Sequence, residues 1–231
     1  LRDVYKRQAT GSGKSSLVQL IARLYDVSSG MLFVGGKDIR NYDSSSLRNE
    51  VGFVLQKNIL FNGTIAENLR WGRLDATDED VREVCKIACA DEFIQDFPDG
   101  YNTHIEQGGK NVSGGQRQRL CIARALLRKP KILILDDSMS AVDMKTDRKI
   151  RENLKKFMPD STQIIVAQRV SSIEHADIIV VLQNGRILAQ GSHNDLIKSC
   201  ELYRNMAESQ AKSNVTDDET AVTTTSAKGA E

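Results

Sequence analysis

The chain has 231 residues, of which 40% are hydrophobic and 27% charged, and its 32 lysines and arginines almost balance its 31 aspartates and glutamates. This composition is typical of a soluble globular protein and gives no indication of a nucleic-acid partner, and the longest apolar runs, such as Ile178–Leu182, are far shorter than the roughly 20 residues of a membrane-spanning helix. The four cysteines form no C-x-x-C pair, which speaks against a zinc ribbon or a disulfide framework and fits a reducing, cytosolic setting.

The first third of the chain has the pattern of an α/β fold. A glycine-rich turn leads into a predicted amphipathic helix that runs from Lys14 to about Tyr25, because its apolar residues recur at helical spacing. Short strands are predicted near Met31–Val34 and at Val51–Leu55. Strands that alternate with helices in this way indicate a layered α/β core.

The middle of the chain, about residues 74–128, is predicted to be a helical subdomain inserted into that core. Helices are predicted at Asp78–Cys89, Ala90–Phe97 and Gly114–Leu127. Few β-branched runs occur in this region, and a Pro-Asp-Gly turn separates the second helix from the third. The period of the hydrophobic pattern therefore changes here from that of strands to that of helices.

After Pro130 the chain returns to strands that alternate with helices. Near-continuous apolar strands are predicted at Ile132–Leu135, Gln163–Ala167 and Asp177–Leu182, a pattern typical of parallel strands that are buried on both faces. From about Ser209 the composition becomes rich in Thr, Ser, Ala and acidic residues. We expect residues 209–231 to form a disordered tail.

A candidate phosphate-binding loop opens the first helix. Backbone N–H groups of such a loop and of a helix N-terminus can bind phosphate oxygens, a lysine adds positive charge, and a serine hydroxyl can bind Mg²⁺. The purely structural alternative is a glycine-rich turn capped by serines. The predicted nucleotide-binding residues are Thr10, Gly11, Ser12, Gly13, Lys14, Ser15 and Ser16. The full G-x-x-x-x-G-K-[ST] pattern requires glycine where this chain has Gln8.

Two carboxylates follow directly at the end of one predicted strand. Asp136 ends the apolar run Ile132–Leu135, where a carboxylate can hold Mg²⁺ together with Ser15. Asp137 comes next and could polarise an attacking water. An acidic turn that caps the following helix is a plausible alternative for Asp137 alone, but it explains the pair poorly.

A third motif begins the predicted helix Gly114–Leu127. Residues Ser113, Gly114, Gly115 and Gln116 form the sequence Ser-Gly-Gly-Gln, which ends 136 − 116 = 20 residues before Asp136. Taken in order with the phosphate loop and the strand-end aspartate, this motif resembles the signature of ABC-type ATPases. The resemblance implies a P-loop NTPase fold with a RecA-like parallel sheet and an inserted helical subdomain. It also implies that ATP and Mg²⁺ are bound, with Ser113–Gln116 contacting the nucleotide.

Other segments resemble the exporter branch of the same family. Gln56 is similar to the glutamine-loop residue, which reaches the Mg²⁺ and links the nucleotide to the membrane domains, and Ser140–Asp143 resembles the D-loop. Leu60–Gly72 and Thr103–Gly109 are similar to exporter ATPase segments, the second of which touches the transmembrane domains. The resemblance implies two kinds of partner, a second ABC ATPase domain paired head to tail and the transmembrane domains of an exporter. It places the chain at the cytoplasmic face of a membrane.

Two positions depart from the family pattern at the catalytic centre. Hydrolytically competent members carry Glu where this chain has Asp137, and His where it has Gln168. The shorter Asp side chain holds its carboxylate farther from the γ-phosphate, and Gln cannot carry a proton. We therefore predict a half-site that binds ATP and hydrolyses it slowly. With its signature intact, the chain resembles the degenerate subunit of heterodimeric exporters, whose partner supplies the Glu and His.

Three functions remain as alternatives at this point. The first is the ATP-hydrolysing domain of an exporter, and the second is an ATP-dependent clamp or regulator with little turnover of its own. Asp137 and Gln168 favour the second for this half-site, whereas the intact signature favours the first for an assembled pair. A soluble ABC protein of DNA repair or translation is disfavoured by Leu60–Gly72 and Thr103–Gly109.

The beginning of the chain does not match the predicted domain. A buried strand should precede a phosphate loop, but Arg2–Arg7 places charges on both faces of such a strand. We expect residues 1–8 to be a foreign, adaptor-like segment and residues 9–208 to be the ATPase domain, cut short before its first strands. The adenine-stacking aromatic residue of the family should lie in the missing part, because Tyr5 is too near Gln8 for that role.

Overall fold

The computed structural model describes residues 12–211. The predicted adaptor-like segment, Thr10, Gly11 and residues 212–231 of the predicted tail lie outside this range. Within the described chain, residues group into two compact units, one formed by residues 14–167 and the other by residues 12–13 and 168–211.

The larger unit contains the predicted helices and strands in the predicted order, with further short elements between them. Its helices are α1 (Lys14–Ile21), α2 (Ser44–Glu50), α3 (Ile65–Arg70), α4 (Asp78–Ile87), α5 (Asp91–Gln95), α6 (Gly114–Leu126) and α7 (Met144–Phe157). Its strands are β1 (Phe33–Val34), β2 (Lys37–Asp38), β3 (Val51–Val54), β4 (Gly63–Thr64), β5 (His104–Ile105), β6 (Ile132–Asp136) and β7 (Thr162–Val166). The helices predicted between residues 74 and 128 are present as α4, α5 and α6, somewhat shorter than predicted.

A parallel sheet forms the centre of this unit, with the strand order β3-β6-β7. The central strand β6 pairs Ile132 with Val51 on one side and with Thr162 on the other. The prediction of parallel strands from the apolar runs is confirmed for β6 and β7. Because all three strands point the same way, their carboxyl ends meet at one edge, where polar residues from different parts of the chain can come together.

The side chains of β6 alternate between the two faces of the sheet. Leu133 and Leu135 belong to the core shared with the helices α3 to α7, whereas Ile134 packs with Val18 of α1 and Leu47 of α2 on the opposite face. A strand covered on both faces buries an unbroken apolar run, which is the reason for the Ile-Leu-Ile-Leu sequence. This packing on both faces places Asp136 at the end of a buried strand.

Local sequence signals set the starts of the helices near the site. Ser113 is the N-cap of α6 and Thr77 that of α4, each in a reciprocal capping box with the residue three positions later. Asp143 caps α7 by accepting a hydrogen bond from the backbone N–H of Thr146. That hydrogen bond is the main reason that the pKa of Asp143 lies below its usual range.

The smaller unit contains an antiparallel hairpin, β8 (Ile179–Gln183) and β9 (Arg186–Gly191), followed by α8 (His193–Ser199). The prediction of a buried parallel strand at Asp177–Leu182 is therefore wrong in its pairing and in its burial, because Val180 is 44% exposed. The physical reason lies in the turn. Asn184 and Gly185 both have positive φ values, 50° and 75°, and form the tight two-residue turn that returns the chain antiparallel.

A helix after α8 extends into the segment predicted to be a disordered tail. Residues 201–211 are helical, which includes the first three residues of the predicted tail. Tyr203 packs in the core of the smaller unit with Leu196 and Val181. In the part of the chain that the structure covers, no helix combines the length and apolar character that crossing a bilayer requires.

Candidate functional site

The start of α1 and the end of β6 meet through one hydrogen bond. The hydroxyl of Ser15 donates to Oδ1 of Asp136 over 3.0 Å, although 121 residues separate them in sequence. Asp136 is only 3% exposed, so its carboxylate is shielded from bulk water. The structure thus brings together two of the three residues that the sequence predicts at the Mg²⁺, Ser15 and Asp136, whereas the third, Gln56, bonds to Asp137.

The donor set at this point fits a magnesium ion. A hydroxyl and a carboxylate are hard oxygen ligands of the kind that Mg²⁺ prefers, usually with several waters and substrate phosphates completing its octahedron. Two neighbouring ligands at about 2.1 Å from Mg²⁺ lie about 3.0 Å apart, and the Ser15 and Asp136 oxygens are 3.0 Å apart. Within residues 12–211 no cluster of three or more His, Cys, Asp or Glu side chains could hold a metal by itself. The remaining ligands would come from water, phosphate and the predicted ligand Gln56.

Asp137 lies directly after this pair and has an unusual backbone. Its φ of 49° is in the left-handed region, which Asp tolerates better than most residues with a Cβ atom. Its N–H donates to the carbonyl oxygen of Val166 at the end of β7, over 2.9 Å. Oδ2 of Asp137 accepts a hydrogen bond from Nε2 of Gln56, which follows the strand β3, over 3.3 Å. Two predicted catalytic residues are therefore in direct contact.

The signature residues form the first turn of α6. Oγ of Ser113 accepts from the N–H of Gln116 over 3.2 Å, and Oε1 of Gln116 accepts from the N–H of Ser113 over 2.9 Å. A Cβ atom added to Gly115 would lie 2.9 Å from the carbonyl oxygen of Ala141. Glycine is therefore needed at this position because the helix start packs closely on the segment after β6.

A further residue of this contact, Gln118, was not predicted from the sequence. Its side chain is 4% exposed and bonds to the segment after β6: Oε1 accepts from the N–H of Ala141 over 3.0 Å, and Nε2 donates to Oγ of Ser140 over 3.4 Å. A signal was present, since Gln118 precedes the buried Cys121 and Ile122 by three and four residues and so shares their helix face.

The other predicted site residues are spread more widely. Lys14 is half-buried at the start of α1, and Ser16, two residues later, is exposed. Ser12, which is buried, Gly13 and Gln168 belong to the smaller unit. The backbone oxygen of Gln168 accepts a hydrogen bond from Nε2 of Gln210 within that unit, over 2.9 Å. The nucleotide roles of all these residues stay predictions.

The exporter-like segments are bound to α6. Arg117 donates through Nη1 to the carbonyl oxygen of Gly108 over 3.0 Å, and the guanidinium of Arg124 lies 5.7 Å from the ring centroid of Phe61. Near the second contact, the rings of Phe61 and Trp71 stack with centroids 4.8 Å apart. Trp71 is 61% exposed, so these segments present an apolar surface on the larger unit.

Comparisons with known proteins agree with the predicted family. A family model described as ABC transporter matches residues 9–140. A protein of Mycoplasma genitalium, provisionally named an ABC transporter ATP-binding protein, is 46% identical over 211 residues, which is 87% of this chain and 34% of that protein. A protein of Bacillus subtilis, provisionally named a multidrug export ATP-binding/permease protein, is 48% identical over 197 residues, which is 85% of this chain and 34% of that protein. The chain thus spans about a third of the length of these relatives.

A solved structure gives the same result for the fold. A bacterial Atm1-family ABC exporter with ATP bound is similar to this chain with a TM-score of 0.85 and 39% sequence identity. The likeness covers 87% of this chain and 36% of that one. The predicted P-loop NTPase fold, with a parallel sheet and helices around it, is therefore confirmed.

Proposed function

The chain belongs to the ABC transporter family, and we propose that it is the ATP-binding and ATP-hydrolysing domain of an exporter whose own half-site hydrolyses ATP slowly. In this proposal, ATP binding and hydrolysis are coupled to the export of a substrate across a membrane. The hydrogen bond between Ser15 and Asp136 supports the proposal most directly, because it places a hydroxyl and a buried carboxylate together at the end of the central strand.

Each residue of the site has a proposed task. Ser15 and Asp136 would hold Mg²⁺, which neutralises charge on the β- and γ-phosphates when it is bound. The ammonium group of Lys14 would contact the same phosphates. Gln56 would sense the nucleotide through its hydrogen bond with Asp137. Asp137 would orient the attacking water as a general base.

Slow hydrolysis follows from the side chains at two positions. The carboxylate of Asp137 stands one methylene short of a glutamate carboxylate, and a misplacement of about 1 Å can lower a rate about 100-fold. Gln168 can donate a hydrogen bond but cannot exchange a proton at neutral pH. Both changes reduce catalysis while leaving Lys14, Ser15 and Asp136 available for ATP binding.

The proposed partners are a second ATPase domain and the transmembrane domains of an exporter. In a head-to-tail pair, Ser113–Gln116 would contact the nucleotide held by the partner, and the capping box that orders this turn supports such a role. The exposed apolar surface around Phe61 and Trp71, next to the segment after Gln56, is suited to contact a membrane domain. The chain would then lie at the cytoplasmic face of the membrane.

A regulatory clamp that closes on ATP with little turnover is the second candidate. The hydrogen bond from Gln56 occupies one oxygen of Asp137, and the left-handed backbone turns this residue sharply at the strand end. Both features are compatible with a carboxylate that orders the site and does not act as a base. The clamp would bind ATP with the same affinity as the exporter domain. Pairing it with a partner that carries the consensus Glu and His would not raise ATP turnover.

ATP binding to the full-length protein tests the proposal. We expect Lys14→Ala to weaken Mg²⁺-dependent ATP binding about tenfold, since a charge-assisted contact to phosphate is lost, as measured by equilibrium binding of a fluorescent ATP analogue. Lys155→Ala is the matched control, because Lys155 is an exposed lysine on α7, away from the strand end. Equal binding by the parent protein and Lys14→Ala would contradict the proposed role of the loop.

A further inference from the structure

Gln118 is a buried polar residue on α6 that the proposed function does not use. With a side chain 4% exposed, its amide must find partners inside the protein, since an unpaired buried polar group is costly. Both halves of the amide do so, the oxygen with the N–H of Ala141 and the nitrogen with Oγ of Ser140. Gln118 therefore joins the signature helix to the segment between β6 and α7 by two bonds.

The contact continues to the strand-end carboxylates. The hydroxyl of Ser140, which accepts from Gln118, donates its own proton to the carbonyl oxygen of Asp137 over 3.0 Å. Oδ2 of Asp137 in turn accepts from Gln56. Donors and acceptors match along the whole series, because the hydroxyl uses one lone pair and its single proton. An ordered polar chain therefore runs from α6 to the residue that follows β3.

Close packing at the helix start limits how the two parts can move. A Cβ atom on Gly115 would meet the carbonyl oxygen of Ala141 at 2.9 Å, and one on Gly114 would meet the Cβ atom of Ala141 at 3.6 Å. The first turn of α6 thus lies directly against Ala141. Because packed protein interiors transmit displacement with little compression, a shift of this turn displaces the segment after β6 as well.

We propose that Gln118 is a positioning residue that makes the signature turn and residues 137–143 move as one unit, so that a displacement of Ser113–Gln116 reaches Asp137 through Ser140. The inference rests on the proposed function, since it assumes that the signature turn contacts nucleotide held by a second domain. Closure at one nucleotide site would then be reported to the other site within this single chain.

The test is the ATP turnover of the full-length homodimer, in which each half-site contains Asp137 of one copy and the signature turn of the other. We expect Gln118→Glu to lower kcat about tenfold, with a KM for ATP within twofold of the parent, since misplacement of catalytic groups affects the rate more than binding. Glutamate keeps an acceptor for the N–H of Ala141 but has no proton to donate to Ser140. The serine hydroxyl would turn to the new carboxylate and release the carbonyl oxygen of Asp137.

Two further variants separate positioning from loss of stability. Leu120→Val removes a methylene from a fully buried neighbour on α6 without touching the polar chain, and we expect its kcat to stay within twofold of the parent. Ser140→Ala should lower kcat as much as Gln118→Glu does. The double variant should lose no more than either single variant, because both break the same chain.

The outcomes are distinct. If the fold-losses in kcat of the two single variants multiplied in the double variant, the positioning role would be overturned. The same holds if Leu120→Val and Gln118→Glu lost kcat equally at equal thermal stability. Unchanged kcat in Gln118→Glu would also overturn it. If Lys14→Ala left the ATP turnover of the parent protein unchanged, that result would instead contradict the proposed function, whatever the Gln118 variants show.

Discussion

Replacing Asp136 by Asn is expected to lower the apparent affinity for Mg²⁺ in the presence of ATP about 100-fold. The substitution removes the negative charge of a side chain that is 3% exposed, but Oδ1 of the amide can still accept the hydrogen bond from Ser15. The fold is therefore expected to persist, with a thermal unfolding midpoint equal to that of the parent or higher, because a buried charge costs more than a buried amide. Titrating Mg²⁺ at fixed ATP measures the effect.

Asp147→Asn is the matched control for this prediction. Asp147 is 4% exposed, similar to Asp136, but its carboxylate pairs with Nε of Arg151 over 3.1 Å. Breaking this ion pair should lower the unfolding midpoint and leave the Mg²⁺ affinity of the folded protein within twofold of the parent. If Asp136→Asn and Asp147→Asn had the same Mg²⁺ affinity, Asp136 would not be a metal ligand.

Restoring the family residues at both catalytic positions is expected to raise turnover at this half-site about 100-fold. Asp137→Glu extends the carboxylate by one methylene, and Gln168→His supplies a group that can carry a proton near pH 7. Each single variant should gain less than the pair, because base and positioning group act on one transition state. Single-turnover ATP hydrolysis by the full-length homodimer, with protein in excess over ATP, is the measurement.

The double variant should also be less stable than the parent. Residue 137 has a φ of 49°, a conformation that costs most residues with a Cβ atom about 1–2 kcal/mol but is easier for Asp. Glu at this position should therefore lower the free energy of unfolding by about 1 kcal/mol. Turnover in the double variant that equals that of the parent would contradict the roles assigned to Asp137 and Gln168.

The order of motifs along the chain was enough to predict that the start of α1 and the end of β6 lie together. The glycine-rich turn, the apolar strand and its terminal Asp136 imply a nucleotide site only if the helix start and strand end meet, and Ser15 and Asp136 are in contact. This contact was predictable because a parallel sheet leaves few places for a strand-end carboxylate. The sequence around Asp136 therefore determines its position at the end of the strand.

The parts that the sequence analysis missed have different causes. The hairpin of β8 and β9 was predictable, since Asn184-Gly185 between apolar runs is a strong turn signal that the apolar pattern of Asp177–Leu182 obscured. Gln118 was not predictable in its role. Its hydrogen bonds depend on Ala141 and Ser140, which lie 23 and 22 residues away and reach it only through tertiary packing.

In the proposed function, this chain binds ATP in a slow half-site and supplies an intact signature to a partner. The most direct test compares steady-state ATP turnover per dimer in two preparations, the full-length homodimer and a mixed pair with a partner that carries the consensus Glu and His. We expect the mixed pair to turn over ATP at least about tenfold faster, since one of its sites has both catalytic groups. Equal turnover by the homodimer and the mixed pair would contradict the proposed function.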